Sequence, residues 1–315
     1  MNSLSGLILQ AVELPVLRDR GIQLRVLRED LRHHPAAGNK WHKLRYNLQA
    51  AIEQGHRSVL SFGGAWSNHI LALAASAGQR DLESIGVIRG EAEYADNPLL
   101  SEARAHGMRL HFIDRAEYRK RHDPAWQQTL RARFGHPYLI PEGGSNTLGA
   151  RGCQALGERL LAETGGDFDM LCCAVGSGGT LAGLSRALLP ARRAIGYAVV
   201  KDTSLPRRIA DLLADGAPQP ELRNAARRGY GRSDAELTAF VEDFIRQTGI
   251  PIEPVYTGKL FMRLLEDIER GNFPPGNRLI VLHSGGVWGR HKKAGSADTD
   301  PAGLEPARGV EPPTS

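Results

Sequence analysis

The stretch "DMLCCAVGSGGTLAGLSRALL" (169–189) decides how this chain folds. "DMLCCAV" is an apolar run of strand length. "GTLAGLSRALL" repeats its apolar residues at helical spacing, and glycines join the two. A buried strand entering a helix through a glycine turn is the unit of an α/β fold, in which parallel strands are covered on both faces. The same grammar recurs along the sequence. "SVLSF" (58–62) runs into "GGAWSNHILALAASAG", and "ESIGVI" (83–88) precedes "NPLLSEARAHG". "RLHFI" (109–113), "PYLIPEGG" (137–144), "AIGYAVV" (194–200) and "RLIVLHSGG" (278–286) read as further strands, and "ARGCQALGERLLAET" (150–164) as a helix. Ligands of such sheets sit beyond the carboxyl ends of the strands. Four of those ends carry glycines: Gly63-Gly64, Gly143-Gly144, Gly176 to Gly179 and Gly285-Gly286. Each alone is a plain turn. Together they suggest loops converging on one ligand.

Composition narrows the class. The chain has 315 residues, 41% hydrophobic and 24% charged, enough for one large α/β unit or two domains with a full core. The net charge of +5 comes almost entirely from scattered arginine. No basic stripe interleaves with aromatics, which argues against nucleic acid as a partner. Cys153, Cys172 and Cys173 match no zinc or disulfide spacing and read as small buried residues, so no metal is expected. The N-terminus lacks the pattern of a signal peptide, and no apolar run reaches membrane length, so a cytoplasmic protein without a membrane partner is expected. The tail (290–315) is rich in Pro, Gly, Ala and charge, and is expected to be disordered.

The "VGSGGT" loop ends a strand and opens a helix, so its free N–H groups and the helix dipole favour an anion. Gly176, Gly178 and Gly179 clear space, and Ser177 and Thr180 add hydroxyls. It is neither a Walker loop, since no Lys-Ser/Thr follows, nor the dinucleotide fingerprint, since Leu181 replaces the third glycine. A structural turn is the competing reading, and an ATP-binding enzyme is disfavoured by the missing Lys-Ser/Thr. In "GGAWSNHI", Ser67 stands where it would cap the next helix, or where it and nearby N–H groups would hold a carboxylate. Asn68 and His69 follow in the first turn.

Lysines are few: Lys40, Lys43, Lys120, Lys201, Lys259, Lys292 and Lys293. Lys40 follows a Gly38-Asn39 turn at the start of "WHKLRYNLQAA". Read alone it is an exposed turn lysine. Read with an anion cradle and a carboxylate pocket, it is a reactive amine, whose ammonium form the helix's positive end disfavours.

These segments carry a resemblance. "GNKWHKL", "FGGAWSNH", "PEGGSNTLGARG", "AVGSGGTLAGL", "PVYTGK" and "LHSGG" stand in the order found in the 1-aminocyclopropane-1-carboxylate (ACC) deaminase / D-cysteine desulfhydrase family, over roughly residues 7 to 289. That family belongs to the tryptophan-synthase-β-like, fold type II enzymes that use pyridoxal 5'-phosphate (PLP). The resemblance implies two open, mostly parallel twisted sheets with helices on both faces. It implies a larger PLP-binding domain (1–46 plus 151–289) and a smaller α/β domain (47–150). It makes Lys40 similar to the lysine that joins PLP, and Asn68 to the residue bonding its phenolic oxygen. Ser67 resembles the serine near the substrate carboxylate, and Gly176 to Thr180 the phosphate loop. Tyr256 and Tyr230 resemble active-site tyrosines, and Ser284 the hydroxyl near the pyridine nitrogen. A homodimer is implied by analogy.

The sequence departs from the family at three places. In the last motif, usually His-Thr-Gly-Gly, Ser284 replaces the threonine and keeps its hydroxyl. Trp66 replaces a common Gln, which narrows the expected pocket. Thr257 stands where ACC-opening deaminases carry a glutamate. A hydroxyl from Thr257 or Ser284 cannot hold the pyridine nitrogen fully protonated, so the electron sink is weaker. That favours α,β-elimination from a small amino acid, D-cysteine first, giving pyruvate, ammonia and hydrogen sulfide. ACC deamination is the alternative, and a non-catalytic PLP or amino-acid binding protein the second.

Overall fold

Two sheets carry the chain. The computed structural model describes residues 6–32, 38–213, 216–229, 231 and 233–286. The strands are β1 (Leu9–Val12), β2 (Gln23–Arg28), β3 (Ser58–Gly64), β4 (Glu83–Arg89), β5 (Arg109–Ile113), β6 (Tyr138–Leu139), β7 (Met170–Val175), β8 (Arg193–Ala198), β9 (Glu221–Asn224) and β10 (Arg278–His283). Among the described residues, one sheet has the order β1-β2-β10-β7-β8-β9 and the other β5-β4-β3-β6. Every pairing is parallel except β1 with β2. The α/β class with two mostly parallel sheets is therefore as the sequence indicates.

The helices are α1 (Pro15–Asp19), α2 (Asn39–Glu53), α3 (Asn68–Gly78), α4 (Pro98–Ala105), α5 (Arg115–Arg119), α6 (Pro124–Arg133), α7 (Thr147–Thr164), α8 (Gly179–Leu188), α9 (Leu205–Ala210), α10 (Ala235–Thr248) and α11 (Thr257–Glu269). Both sheets are covered on two faces. Alternate residues of β7 divide between two cores: Met170, Cys172 and Ala174 join Val26, Tyr197 and Val281, while Leu171, Cys173 and Val175 join Leu27, Ile280 and Leu282. An uninterrupted apolar run is what such double covering demands. Each fully buried aliphatic side chain contributes on the order of 1.5–3 kcal/mol. The three cysteines are free and buried. The smaller sheet packs α3 on one face and Tyr118 and Leu130 on the other.

Glycines let three helices meet at backbone distance. A Cβ on Gly152 of α7 would lie 1.8 Å from the His42 carbonyl oxygen of α2, and one on Gly183 of α8 would lie 2.2 Å from the Ala150 carbonyl oxygen. The α2–α7–α8 stack joins the two sheets. The domain boundaries expected at 46/47 and 150/151 both fall inside it, within α2 and α7. Strands β1, β2 and β9 and helices α1, α5, α6 and α9 to α11 lie in segments where the sequence reading names no element. Among the described residues, no helix is long and apolar enough to cross a membrane. The tail expected to be disordered lies outside the described residues.

Candidate active site

The carboxyl ends of β3, β7 and β10 and the start of α2 face one another. Gly38 opens α2 at φ +85°, and the Asn39 N–H donates to the Ser284 carbonyl at 3.3 Å. The start of α2 is thereby fastened to the turn after β10. The Asn39 amide donates to the Thr180 hydroxyl at 2.8 Å, which fastens it to α8 as well. Between these anchors the Lys40 amine donates to Asn39 Oδ1 at 2.9 Å and lies 5.8 Å from the centre of the Tyr256 ring. The Tyr256 ring closes on the glycine loop: a Cβ on Gly176 would lie 3.2 Å from its Cε1. Lys40, Tyr256 and Gly176 are thus neighbours.

Burial holds the Lys40 ammonium down to about 8, against weaker support from Cys153 and Glu253. The sequence reading assigned this lowering to the positive end of α2. The structure attributes it first to desolvation of the amine beside Asn39 and the Tyr256 ring.

The glycine loop has a second lysine. Lys43, one helical turn beyond Lys40, is buried and donates to the Ser145 hydroxyl at 2.6 Å and the Ser177 hydroxyl at 3.3 Å. A Cβ on Gly179 would meet Ser145 Oγ at 3.0 Å and Lys43 Nζ at 3.2 Å. An amine, two hydroxyls and the first N–H groups of α8 therefore surround one space. This donor set fits a phosphate, and glycine at 179 leaves room for one. Burial and the nearby Lys40 charge push the Lys43 ammonium down to about 7.

Sulfate, whose charge is constant in this range, tests this cation in cofactor-free protein. Lys43 is charged below about 7 and loses its proton above it. Sulfate affinity is expected to fall as pH rises through that value, by up to about tenfold per pH unit. Titration calorimetry should show the slope in the unaltered protein and its loss in Lys43→Met. A slope retained by Lys43→Met would assign the charge elsewhere.

The other residues singled out in the sequence are placed as follows. Ser67 occupies the cap position of α3, but its side chain makes no capping hydrogen bond. The helix-cap reading therefore does not account for it. Asn68 follows, and its amide nitrogen would lie 3.2 Å from a Cβ on Gly286. Ser284 and Gly285 pack on Gly38. Thr257 is fully buried, with its hydroxyl accepting from the Glu253 N–H at 3.0 Å and 3.1 Å from Glu253 Oε1. Tyr230 lies outside the described residues.

Sequence reasoning missed Lys43, Asn39, Ser145 and Glu253. Glu253 is the carboxylate nearest Gly286, with its Cγ 3.4 Å from a Cβ built there. Its oxygens accept from the N–H groups of Val255, Tyr256 and Thr257, so it caps α11 and sets the direction of Tyr256. Among the described residues no group of side chains forms a metal site.

The family model for pyridoxal-phosphate dependent enzymes matches residues 9–285. The chain belongs to this family. PLP is its cofactor, and the cradle around Lys43 and Gly179 fits the phosphate of this PLP-dependent enzyme. A "Putative 1-aminocyclopropane-1-carboxylate deaminase" of Pyrococcus horikoshii is 30% identical, over 87% of this chain and 87% of its own. The "Bifunctional D-cysteine desulfhydrase/1-aminocyclopropane-1-carboxylate deaminase, mitochondrial" of Arabidopsis thaliana is 30% identical over 87% of this chain and 74% of its own. A "D-cysteine desulfhydrase" of Yersinia pestis is 29% identical over 85% and 87%. The solved structure of an "ACC deaminase homologue" superposes with a TM-score of 0.78 at 27% identity, covering 90% of both chains.

Proposed function

We propose that this chain eliminates the β-substituent of a small amino acid, with D-cysteine the foremost substrate. The balanced reaction takes D-cysteine and water to pyruvate, ammonia and hydrogen sulfide. The observation that carries the reading is one amine, Lys40, with a lowered pKa, beside Tyr256 and the glycine loop.

When bound, PLP supplies a conjugated electron-withdrawing system that makes the Cα–H of an attached amino acid acidic. The chain's own residues do the rest. Lys40 is neutral in a useful fraction of molecules near neutral pH, because its ammonium is desolvated. A neutral amine so placed takes the Cα proton as general base. Asn39 orients it by accepting its hydrogen bond. Lys43, Ser145 and Ser177 would hold the phosphate end, at a spacing from Lys40 set by α2, on which both lysines ride. The Ser67 hydroxyl, not spent on the cap, and the first N–H groups of α3 suit the substrate carboxylate. Tyr256 stands over the amine, where its phenol can orient the substrate or assist the departing thiol.

The preference for D-cysteine over ACC rests on Thr257. A glutamate there would place a free carboxylate against the pyridine nitrogen. The carboxylate that is present nearby, Glu253, is engaged by three N–H groups and the Thr257 hydroxyl. ACC deamination remains the second reading, because relatives at 30% identity bear that name. The assay that tests the proposal supplies PLP-loaded protein with D-cysteine, L-cysteine, D-serine and ACC. Sulfide and pyruvate are expected from D-cysteine, at a kcat/KM at least about tenfold above that for 2-oxobutyrate from ACC, a margin of one modest interaction. Sulfide from the L isomer alone, or ACC as the better substrate, would overturn the assignment.

A further inference from the structure

His69 is the second residue of α3 and is 3% exposed. Its Nε2 lies 2.8 Å from the Ser61 hydroxyl, and that hydroxyl lies 3.4 Å from the Pro141 carbonyl. A carbonyl oxygen only accepts, so Ser61 donates to Pro141. If the Ser61 proton is spent there, its oxygen accepts from His69, which puts the imidazole proton on Nε2 and leaves a lone pair on Nδ1. Among the described residues Nδ1 has no hydrogen-bond partner, although it is buried. A buried acceptor left without a donor is costly, so such an Nδ1 calls for a donor that the described residues do not offer.

The place of this nitrogen is informative. A Cβ on Gly144 would touch both Lys43 Cβ, at 3.3 Å, and His69 Cε1, the ring atom next to Nδ1, at 3.6 Å. The ring edge thus abuts the turn that presents Ser145 to Lys43. Burial, with the charges of Lys40 and Lys43, holds the imidazole well below its usual range, so it stays neutral.

We propose that His69 is a positioning residue of the active site, whose Nδ1 accepts a hydrogen bond from one buried donor beside the Glu142–Gly144 turn. The donor is either a single water or an N–H or O–H of the bound amino acid. Ser61 and Pro141 fix the ring's tautomer from the far side, much as an outer partner fixes a working histidine. The inference goes beyond the proposed elimination and uses it only to choose the probe.

The experiment reads the ring nitrogens directly. Holoenzyme labelled with 15N-histidine is examined by long-range 1H–15N correlation, alone and with D-alanine, an amino acid without a β leaving group. The expected spectrum shows His69 protonated at Nε2, with Nδ1 shifted upfield of a free imidazole lone pair. A shift already present without D-alanine identifies water as the donor, and one that appears only with D-alanine identifies the amino acid. Protonation at Nδ1, or a free lone pair in both samples, overturns the proposal. His69→Gln supplies the second measurement, since its amide can still donate to Ser61 but has nothing at the Nδ1 position. It should retain cofactor and melting temperature while losing roughly tenfold in kcat/KM, the size of one neutral hydrogen bond. Unchanged kcat/KM would also overturn the role. None of the nitrogen readouts requires turnover, so an error in the assigned substrate would not be mistaken for an error here.

Discussion

Lys40→Ala, loaded with PLP, treated with borohydride and denatured, carries no covalent cofactor, whereas the unaltered chain gains the mass of one. That is the expected result if the amine at position 40 is the one joined to PLP. Turnover of the best substrate should fall by at least about a thousandfold, as when a nucleophile or base is removed from a concerted site. The geometry supplies the reason. Lys40 is fixed by Asn39, which is fixed in turn by Thr180 and Ser284, so no other amine can take its place without moving α2. Lys43 is the obvious rival, being on the same helix with an ammonium pushed down to about 7. Its amine is committed to Ser145 and Ser177, on the anion side of the site. Lys43→Met should therefore keep the covalent mass, though with weaker retention before reduction. A covalent adduct that survives in Lys40→Ala and disappears in Lys43→Met would reverse the roles of the two lysines.

The sequence made the strands of the parallel sheets legible because they are covered on both faces and so carry unbroken apolar runs. β4 reads off directly as "ESIGVI", and β7 as "MLCCAV". β2 was not legible: "QLRVLR" mixes arginine into the run, and its Arg28 is neutralised by Asp30, a partner no periodicity announces. The site divides in the same way. Residues at strand ends beside glycines were found, since glycine marks the close approach of backbone to something else. Lys43 was passed over because a lysine three residues after another on a helix looks like a solvated face. Its buried state arises from contacts with Ser145 and Ser177, more than a hundred positions away and packed in through the glycines of α7 and α8. Glu253 escaped for a related reason. An acidic residue four positions before a helix is read as a loop charge until the helix N-terminus is seen to turn onto it.

Gly38→Ala tests whether the fastening of α2 to the β10 turn is what aims Lys40. The change adds one carbon, yet that carbon would lie 2.0 Å from the Ser284 carbonyl oxygen and 2.9 Å from Gly285 Cα. All the nearest atoms are backbone, so no side chain can rotate away. The start of α2 must retreat from the 284–286 turn, and the Asn39 N–H to Ser284 bond goes with it. Gly38 also sits at φ +85° and ψ −163°, a region essentially reserved for glycine, where alanine is strained by about 1–3 kcal/mol regardless of space. Gly55 separates the two effects. It lies just past the same helix at φ +77° with nothing within 4 Å of its missing Cβ, so Gly55→Ala suffers a positive-φ strain without the collision. Gly55→Ala should lower stability by about 1–2 kcal/mol and leave the site intact. Gly38→Ala should cost a further hundredfold or so in kcat/KM, because displacing a reacting amine by about an ångström is enough for that. Melting temperature, covalent retention of PLP and kcat/KM, measured on both variants, make the comparison. Equal kcat/KM in the two would mean that Lys40 is aimed by the Asn39–Thr180 bond alone, and that the contact with Ser284 is packing without consequence for the chemistry.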